Sequence, residues 1–169
     1  MQSNGIFPTY VFASVEPQML DAVTEHLKTL GGFNWFAPVT GRFDLVVQLK
    51  GPESSQIYEQ VNRIREIRGI QSTQTCTPFE GFTDGKNMKS SEPFGLVLLG
   101  VRQKAPEVVQ ALKRLSQVSE AFVVPGEFDI VATLKGRNYE EIIAQVQKIA
   151  DVQGVKTSET LFAYKPIWA

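Results

Sequence analysis

The chain has 169 residues, of which 43% are hydrophobic and 21% are charged, a balance typical of a globular protein with a core to bury. Its 17 basic and 18 acidic residues give a formal charge of -1. Nucleic-acid binding normally needs a basic excess to displace counterions, so we expect none here. Cys76 is the only cysteine, which excludes an intrachain disulfide. No stretch approaches the roughly 18 apolar residues of a membrane span. Met1 to Pro8 shows no signal-peptide pattern, so we expect a cytoplasmic protein without a membrane partner.

The first half of the chain predicts a strand, a helix, two strands, a helix and a strand. Thr9 to Val15 is a short β-prone run, and Gly31-Gly32 would end the helix that follows it. Both helices are marked by apolar residues at steps of three or four positions. These are Leu20, Val23, Leu27 and Leu30 in the first helix, and Ile57, Val61, Ile64 and Ile67 in the second.

The remaining strands of this half are expected at about Asn34 to Val39, Phe43 to Leu49 and Gln71 to Phe79. The middle one alternates most regularly, and a short glycine-bearing loop joins it to its predecessor as a hairpin. Its alternation predicts two faces: Phe43, Leu45, Val47 and Leu49 on one, and Asp44, Val46 and Gln48 on the other.

The second half repeats the first half at an offset of 85 residues. Gly41 to Gly51 recurs as Gly126 to Gly136, with Gly, Phe, Asp, Val, Leu and Lys at the same places. The same offset pairs residues along the rest of the half: Leu27 with Leu112, Ile64 with Ile149, Gly69 with Gly154, and Thr75 with Thr160. So many matches in one register predict an internal duplication, and therefore the same order of elements twice.

The order β-α-β-β-α-β predicts an α+β fold of two tandem ferredoxin-like repeats, each a four-stranded sheet with its helices on one face. The alternation leaves apolar residues on the other face of each sheet, which needs a partner. We therefore expect the repeats to pack sheet to sheet within one chain, as an intramolecular dimeric α/β barrel. The predicted boundaries are 8–79 for the first repeat, 80–93 for a polar connecting loop, and 94–165 for the second repeat.

The hairpin turn and last strand of each half resemble the ligand-binding domain of the Lrp/AsnC family. The shared pattern is a Gly-x-[Tyr/Phe]-Asp turn, a hydrophobic strand, a helix, Gly-Val/Ile and a Thr/Ser-x-Thr strand. The stretches that carry it are Val39 to Asp44 with Gly69 to Thr75, and Pro125 to Asp129 with Gly154 to Thr160. The resemblance covers nearly the whole chain outside the linker and the ends.

This resemblance implies a dimeric α/β barrel that binds amino acids or similar small effectors between dimers. Such barrels commonly assemble into rings whose equilibrium the effector shifts, so a homo-oligomer and a regulator or enzyme partner are implied. Family regulators usually carry an N-terminal helix-turn-helix, and only Met1 to Pro8 precedes the first strand here. We therefore expect a small-effector-binding sensor without its own DNA-binding domain.

Ligand-binding candidates lie at the two hairpin turns and on the strands beside them. Glycine lets backbone N–H groups approach a carboxylate, and an Asp side chain accepts a charge-assisted hydrogen bond from an ammonium group. The candidates are Gly41, Arg42, Phe43, Asp44, Thr73 and Thr75 in the first repeat, and Gly126, Phe128, Asp129, Ser158 and Thr160 in the second. The alternative is that the glycine only makes the turn and the Asp only bonds local backbone amides. Arg42 would attract an acidic ligand group where Glu127 would repel it, which favours the first turn if only one site works. The favoured alternative is that both residues are solvated surface charges.

Catalytic and cofactor motifs are not evident in the sequence. His26 is the single histidine and is expected on an exposed helix face, and Cys76 is expected as a small core residue. With no Ser/His/Asp or Cys/His set, metal spacing or glycine-rich phosphate loop, we expect no enzyme, metal or cofactor. The alternatives are a dimeric-barrel enzyme of oxygenase or haem-processing type, and a purely structural interaction module. The ACT domain shares the element order but lacks the Gly-x-Phe-Asp turn.

Overall fold

The computed structural model describes residues 7–50, 54–84, 93–102 and 104–169. They form ten strands and four helices within those ranges. In chain order these are β1 (Thr9–Val15), α1 (Leu20–Leu30), β2 (Phe33–Thr40), β3 (Leu45–Leu49), α2 (Ser54–Arg65), β4 (Ile70–Cys76), β5 (Glu80–Thr83), β6 (Phe94–Val101), α3 (Ala105–Lys113), β7 (Val118–Val123), β8 (Ile130–Lys135), α4 (Tyr139–Ala150), β9 (Val155–Ala163) and β10 (Ile167–Trp168). The predicted order β-α-β-β-α-β is therefore present twice, and the α+β class with tandem ferredoxin-like repeats is confirmed.

The chain divides into two compact units that do not coincide with the two halves of the sequence. Unit 1 contains residues 1–77 and 165–169, and unit 2 contains residues 78–164. Within unit 1 the antiparallel strands lie in the order β4-β1-β3-β2-β10, and within unit 2 in the order β9-β6-β8-β7-β5. Each unit thus completes its sheet with a short strand that follows the other repeat in the sequence.

The two added strands occupy equivalent edges. Phe82 of β5 pairs with Ala121 of β7, and Ile167 of β10 pairs with Phe36 of β2. Phe82 packs against the core of unit 2 and Ile167 against the core of unit 1. The sequence predicts a connecting loop at 80–93, but the first four residues of this segment form the strand β5. Residues 85–92 lie outside the described part of the chain.

The helix-facing side of each sheet forms the core that the apolar periodicity predicts. In unit 1, Val23 and Leu27 of α1 pack against alternate residues of β1 and β3. In unit 2, Val108 and Leu112 of α3 pack against alternate residues of β6 and β8. These apolar stripes drive the helices onto the sheets because burial removes apolar area from water. Helices α2 and α4 end at Arg65 and Ala150, and the glycines predicted to stop them lie four residues later, with positive φ angles.

One predicted side-chain direction is wrong. Leu45, Val47 and Leu49 belong to the helix-facing core as expected, but the Phe43 ring lies 5.2 Å from the Phe12 ring. Phe12 alternates with the core residues of β1 and therefore faces the opposite side of the sheet. The reason is that β3 begins only at Leu45, so Phe43 still belongs to the turn and does not follow the strand alternation.

The first strands of the two repeats are related by 86 residues rather than 85. Ala13 pairs with Leu45, and Leu99 pairs with Ile130, so Ala13 corresponds to Leu99. The helices return to the offset of 85 because the loop before α3 is one residue shorter than the loop before α1. None of the helices in the described part of the chain is long and apolar enough to cross a membrane.

Candidate functional site

The two hairpin turns hold their Asp residues in nearly identical hydrogen bonds. In unit 1 the Val15 amide donates to Asp44 Oδ2 at 2.8 Å, and in unit 2 the Val101 amide donates to Asp129 Oδ2 at 2.9 Å. The amide of each Asp donates to the first strand of its repeat, Asp44 to the Ala13 carbonyl and Asp129 to the Leu99 carbonyl. Each Asp therefore ties its hairpin to the end of the neighbouring strand.

The end of the ladder between the first and third strands of each repeat explains why an acceptor is needed there. Ala13 pairs with Leu45, the first residue of β3, so no residue of β3 lies opposite Val15. In unit 2 Leu99 pairs with Ile130, the first residue of β8, which leaves Val101 in the same position. An amide left unpaired away from water is costly. The Asp carboxylate supplies the acceptor in both repeats, which is the local-backbone role that the sequence left open.

The turn geometry gives each glycine a definite reason to be present. Gly41 has a φ of 127° and Gly126 a φ of 120°, values that side chains with a Cβ rarely adopt. Beside Gly41 the Arg42 guanidinium lies 5.0 Å from the centre of the Phe43 ring, an attractive cation–π arrangement. Phe43 and Phe128 are buried, whereas the turn tips carrying Arg42 and Glu127 are exposed.

The hydroxyl candidates lie two strands away from the Asp residues. Thr73 pairs with Ala13 and Thr75 with Val11 across the β1–β4 ladder, so β1 stands between these hydroxyls and the hairpin, and the backbones are roughly 10 Å apart. Ser158 and Thr160 have the same relation to β6. Directly paired residues share a sheet face, and Ala13 and Val11 face the helices. The structure thus brings Gly41 to Asp44 together in one turn but places the hydroxyls on a separate stretch of the helix side.

The residues considered for other chemistry lie in ordinary structural positions. His26 is exposed on α1, and Cys76 is buried at the end of β4. Within the described ranges no three His, Cys, Asp or Glu side chains lie close enough together to hold a metal ion.

A groove that the sequence did not predict lies in unit 2, between α3 and the turn that follows α4. Its volume is about 470 Å³, and its lining includes Lys104, Glu107 and Arg114. These residues recur at helical spacing along one side of α3, which is the only sequence signal that could have indicated them.

The fold and the turn pattern define an α+β protein with ferredoxin-like repeats and glycine-Asp hairpins. Residues 96–168 match the sequence model of the Lrp/AsnC ligand binding domain, so the predicted resemblance is confirmed for the second repeat. The chain is also similar to the HTH-type transcriptional regulator FL11 of Pyrococcus furiosus. The two are 23% identical over 121 residues, covering 71% of this chain and 76% of that regulator.

Solved structures with the same fold include enzymes. The siroheme decarboxylase NirDL aligns with a TM-score of 0.72 at 13% identity, covering 96% of this chain and 72% of that one. A mutant chlorite dismutase from Candidatus Nitrospira defluvii aligns with a TM-score of 0.63 at 12% identity, covering 94% and 90% of the two chains. The prediction that this chain is not an enzyme is contradicted by these neighbours. Its error was to treat one poorly placed histidine as evidence against a fold that carries catalysis elsewhere.

Proposed function

We propose that this protein binds a small effector, an amino acid, and acts in regulation by changing its assembly or its contact with a partner protein. The observation that carries the proposal is the match of residues 96–168 to a ligand-binding domain of a regulator family. The likeness to a transcriptional regulator over 71% of the chain supports the regulatory role. An effector bound more tightly by one assembly than by another shifts the population toward that assembly.

The hairpin turns are the proposed effector-binding region. Each Asp uses Oδ2 to hold a backbone amide, and its second carboxylate oxygen would accept a hydrogen bond from an α-ammonium group. The glycine of each turn allows backbone N–H groups to approach the ligand carboxylate closely. The hydroxyls of Thr73 and Ser158 lie beyond the adjoining strand, so in this proposal they are not in direct contact with the effector.

The test is a thermal-shift screen of the purified protein against the common amino acids, read beside light scattering. A ligand bound only by the native state raises the melting temperature by an amount set by its affinity. We expect one amino acid to stabilise the wild type and to change the assembly size.

The matched variants for this screen are Asp44→Asn and Asp129→Asn. An Asn side-chain oxygen still accepts the amide of Val15 or Val101, so the fold is kept while the negative charge is lost. Loss of the ligand response in either variant supports the proposal. A full response in both variants, or flat curves with the wild type, would contradict it.

An iron tetrapyrrole belongs in the same screen as a competing ligand class. NirDL, which shares the fold, was also solved with an iron-uroporphyrin III analogue. A visible absorption band that forms on adding such a compound, with no amino-acid response, would replace the amino-acid proposal by a tetrapyrrole one.

A further inference from the structure

The groove in unit 2 differs from the hairpin turns in position and in chemistry. It runs along α3, with Lys104 at the residue before the helix, Arg114 at the residue after it, and Glu107 between them. Val108 and Ala111 provide apolar surface in its lining, and Gly154 of the turn after α4 forms part of the opposite side. Its volume of about 470 Å³ lies within the roughly 300–1,000 Å³ of small-molecule sites.

The equivalent place in unit 1 is covered by a methionine. A β-carbon placed on Gly69 would lie 2.8 Å from Met19 Cβ and 3.3 Å from Met19 Cε, so the Met19 side chain folds over this glycine. Among the described residues, a β-carbon placed on Gly154 would have Val108 as its one neighbour within 4 Å. Lys104, which replaces Met19, therefore leaves the surface above Gly154 open.

The charges along the groove have both signs. Lys104 Nζ lies 3.8 Å from Glu107 Oε1, and the two side chains are 65% and 73% exposed. An ion pair this long and this exposed contributes little, so both groups can turn to a ligand at small cost. The corresponding positions of α1 are Met19, Ala22 and Thr29, which carry none of these charges.

We infer that this groove is a second amino-acid site, present in unit 2 alone of the two equivalent positions. The ligand carboxylate binds Arg114 or Lys104, its ammonium group binds Glu107, and an apolar side chain lies on Val108 and Ala111. Charge-assisted hydrogen bonds at both ends select a free zwitterion over an acid or an amine, and the apolar floor selects an uncharged side chain. The inference takes its ligand class from the proposed function but places the ligand at a separate site.

The test is a titration of the full-length, 15N-labelled protein with L-valine and L-phenylalanine, followed by amide NMR. The Gly154 and Ala111 amides report on the groove, Gly69 is the matched control in unit 1, and Gly126 reports on the hairpin turn. We expect saturable shifts at Gly154 and Ala111 with no change at Gly69. Valinamide and phenylalaninamide, in which a carboxamide replaces the carboxylate, should bind at least about tenfold more weakly, because a hydrogen bond to a charged group is lost.

Two variants replace a charged residue of the groove by its counterpart in unit 1. Lys104→Met or Arg114→Thr, whichever removes the cation that binds the ligand carboxylate, should weaken binding by about tenfold. Wild-type-like spectra elsewhere would show that the variants fold. Unchanged binding in both variants, or no shifts at Gly154 with either amino acid, would overturn the inference. Shifts confined to Gly126 would also overturn it, while leaving the proposed function at the hairpin intact.

Discussion

Gln48 of β3 and Thr133 of β8 occupy equivalent places in the two repeats, and both are buried. Gln48 accepts a hydrogen bond from Asn34 Nδ2 at 2.9 Å and donates to Tyr10 Oη at 3.3 Å. Thr133 Oγ1, in contrast, has no hydrogen-bond partner within the described part of the chain. The Asp-to-amide bonds at the hairpins differ by only 0.1 Å between repeats. Both repeats have thus kept the hydrogen bond between the hairpin Asp and the end of the first strand, while the buried polar groups at this other pair of equivalent positions differ.

Removing the shared hairpin contact should have the largest effect. Asp44→Ala or Asp129→Ala leaves the amide of Val15 or Val101 without its acceptor, which should lower the free energy of unfolding by about 1–3 kcal/mol. Asp129 is less exposed than Asp44, so we expect the larger loss in unit 2. Urea unfolding with Asp→Asn controls measures this, and equal stability of the Ala and Asn variants would show that the bond is not important.

Apolar substitutions at the equivalent buried positions Gln48 and Thr133 should change the free energy of unfolding in opposite directions. Thr133→Val removes a hydroxyl without a partner and should raise the free energy of unfolding by about 1 kcal/mol. Gln48→Leu deprives Asn34 and Tyr10 of a partner and should lower it by about 1 kcal/mol or more. Both variants are compared by chemical unfolding. A loss of stability in Thr133→Val would mean that its hydroxyl is satisfied after all.

Glycine substitutions at the residues that precede α1 and α3 should also change stability in opposite directions in the two repeats. Lys104 has a φ of 61° and a ψ of 53°, the left-handed region, whereas Met19 has a φ of -101°. Lys104→Gly should therefore raise the free energy of unfolding by about 0.5–1 kcal/mol, and Met19→Gly should lower it. Lys104→Ala controls for the lost charge. If glycine and alanine at 104 are equally stable, the left-handed backbone is not strained.

The smallest effect is expected at the start of α4. The Arg137 amide donates to Glu141 Oε1 at 2.9 Å, and this bond, with the Arg137 side chain, lowers the pKa of the Glu141 carboxyl. A lowered folded-state pKa stabilises the fold above the unfolded pKa of the group, and that contribution is lost as pH falls through the folded value. Glu141→Gln, which restores the Gln56 of the first repeat, should flatten stability between pH 5 and 3 slightly. A carboxyl titration by NMR at or above the ordinary glutamate value of about 4.3 would contradict this.

Much of the fold could be predicted from sequence because its signals are local. The stripe Leu20, Val23, Leu27 and Leu30 predicts α1 with the bounds Leu20–Leu30 that the structure shows, and Thr9 to Val15 is β1 as expected. Glycines at turns were informative for the same reason, since Gly41 and Gly126 require positive φ. The Phe43 direction failed because alternation applies within a strand and not in the turn before it.

The candidate site was less predictable than the fold. The motif identified Asp44 and Asp129, but their partners are the backbone amides of Val15 and Val101. Since nearly every residue has a backbone amide, the sequence does not indicate which one is the partner. The groove along α3 could not be predicted from the sequence because its opposite side comes from the turn around Gly154, about 40 residues away in the chain. No periodic pattern links segments so far apart.

The sequence by itself determined the duplication, the order of elements and the helix-facing cores, because each depends on spacing between neighbouring residues. Only the tertiary structure decided that β5 and β10 complete the sheet of the unit built around the other repeat. These strands have four and two residues, too few for an alternation to be recognised. A backbone ladder accepts almost any side chain, so the choice of edge depends on which unpaired strand lies within reach once the sheets have formed.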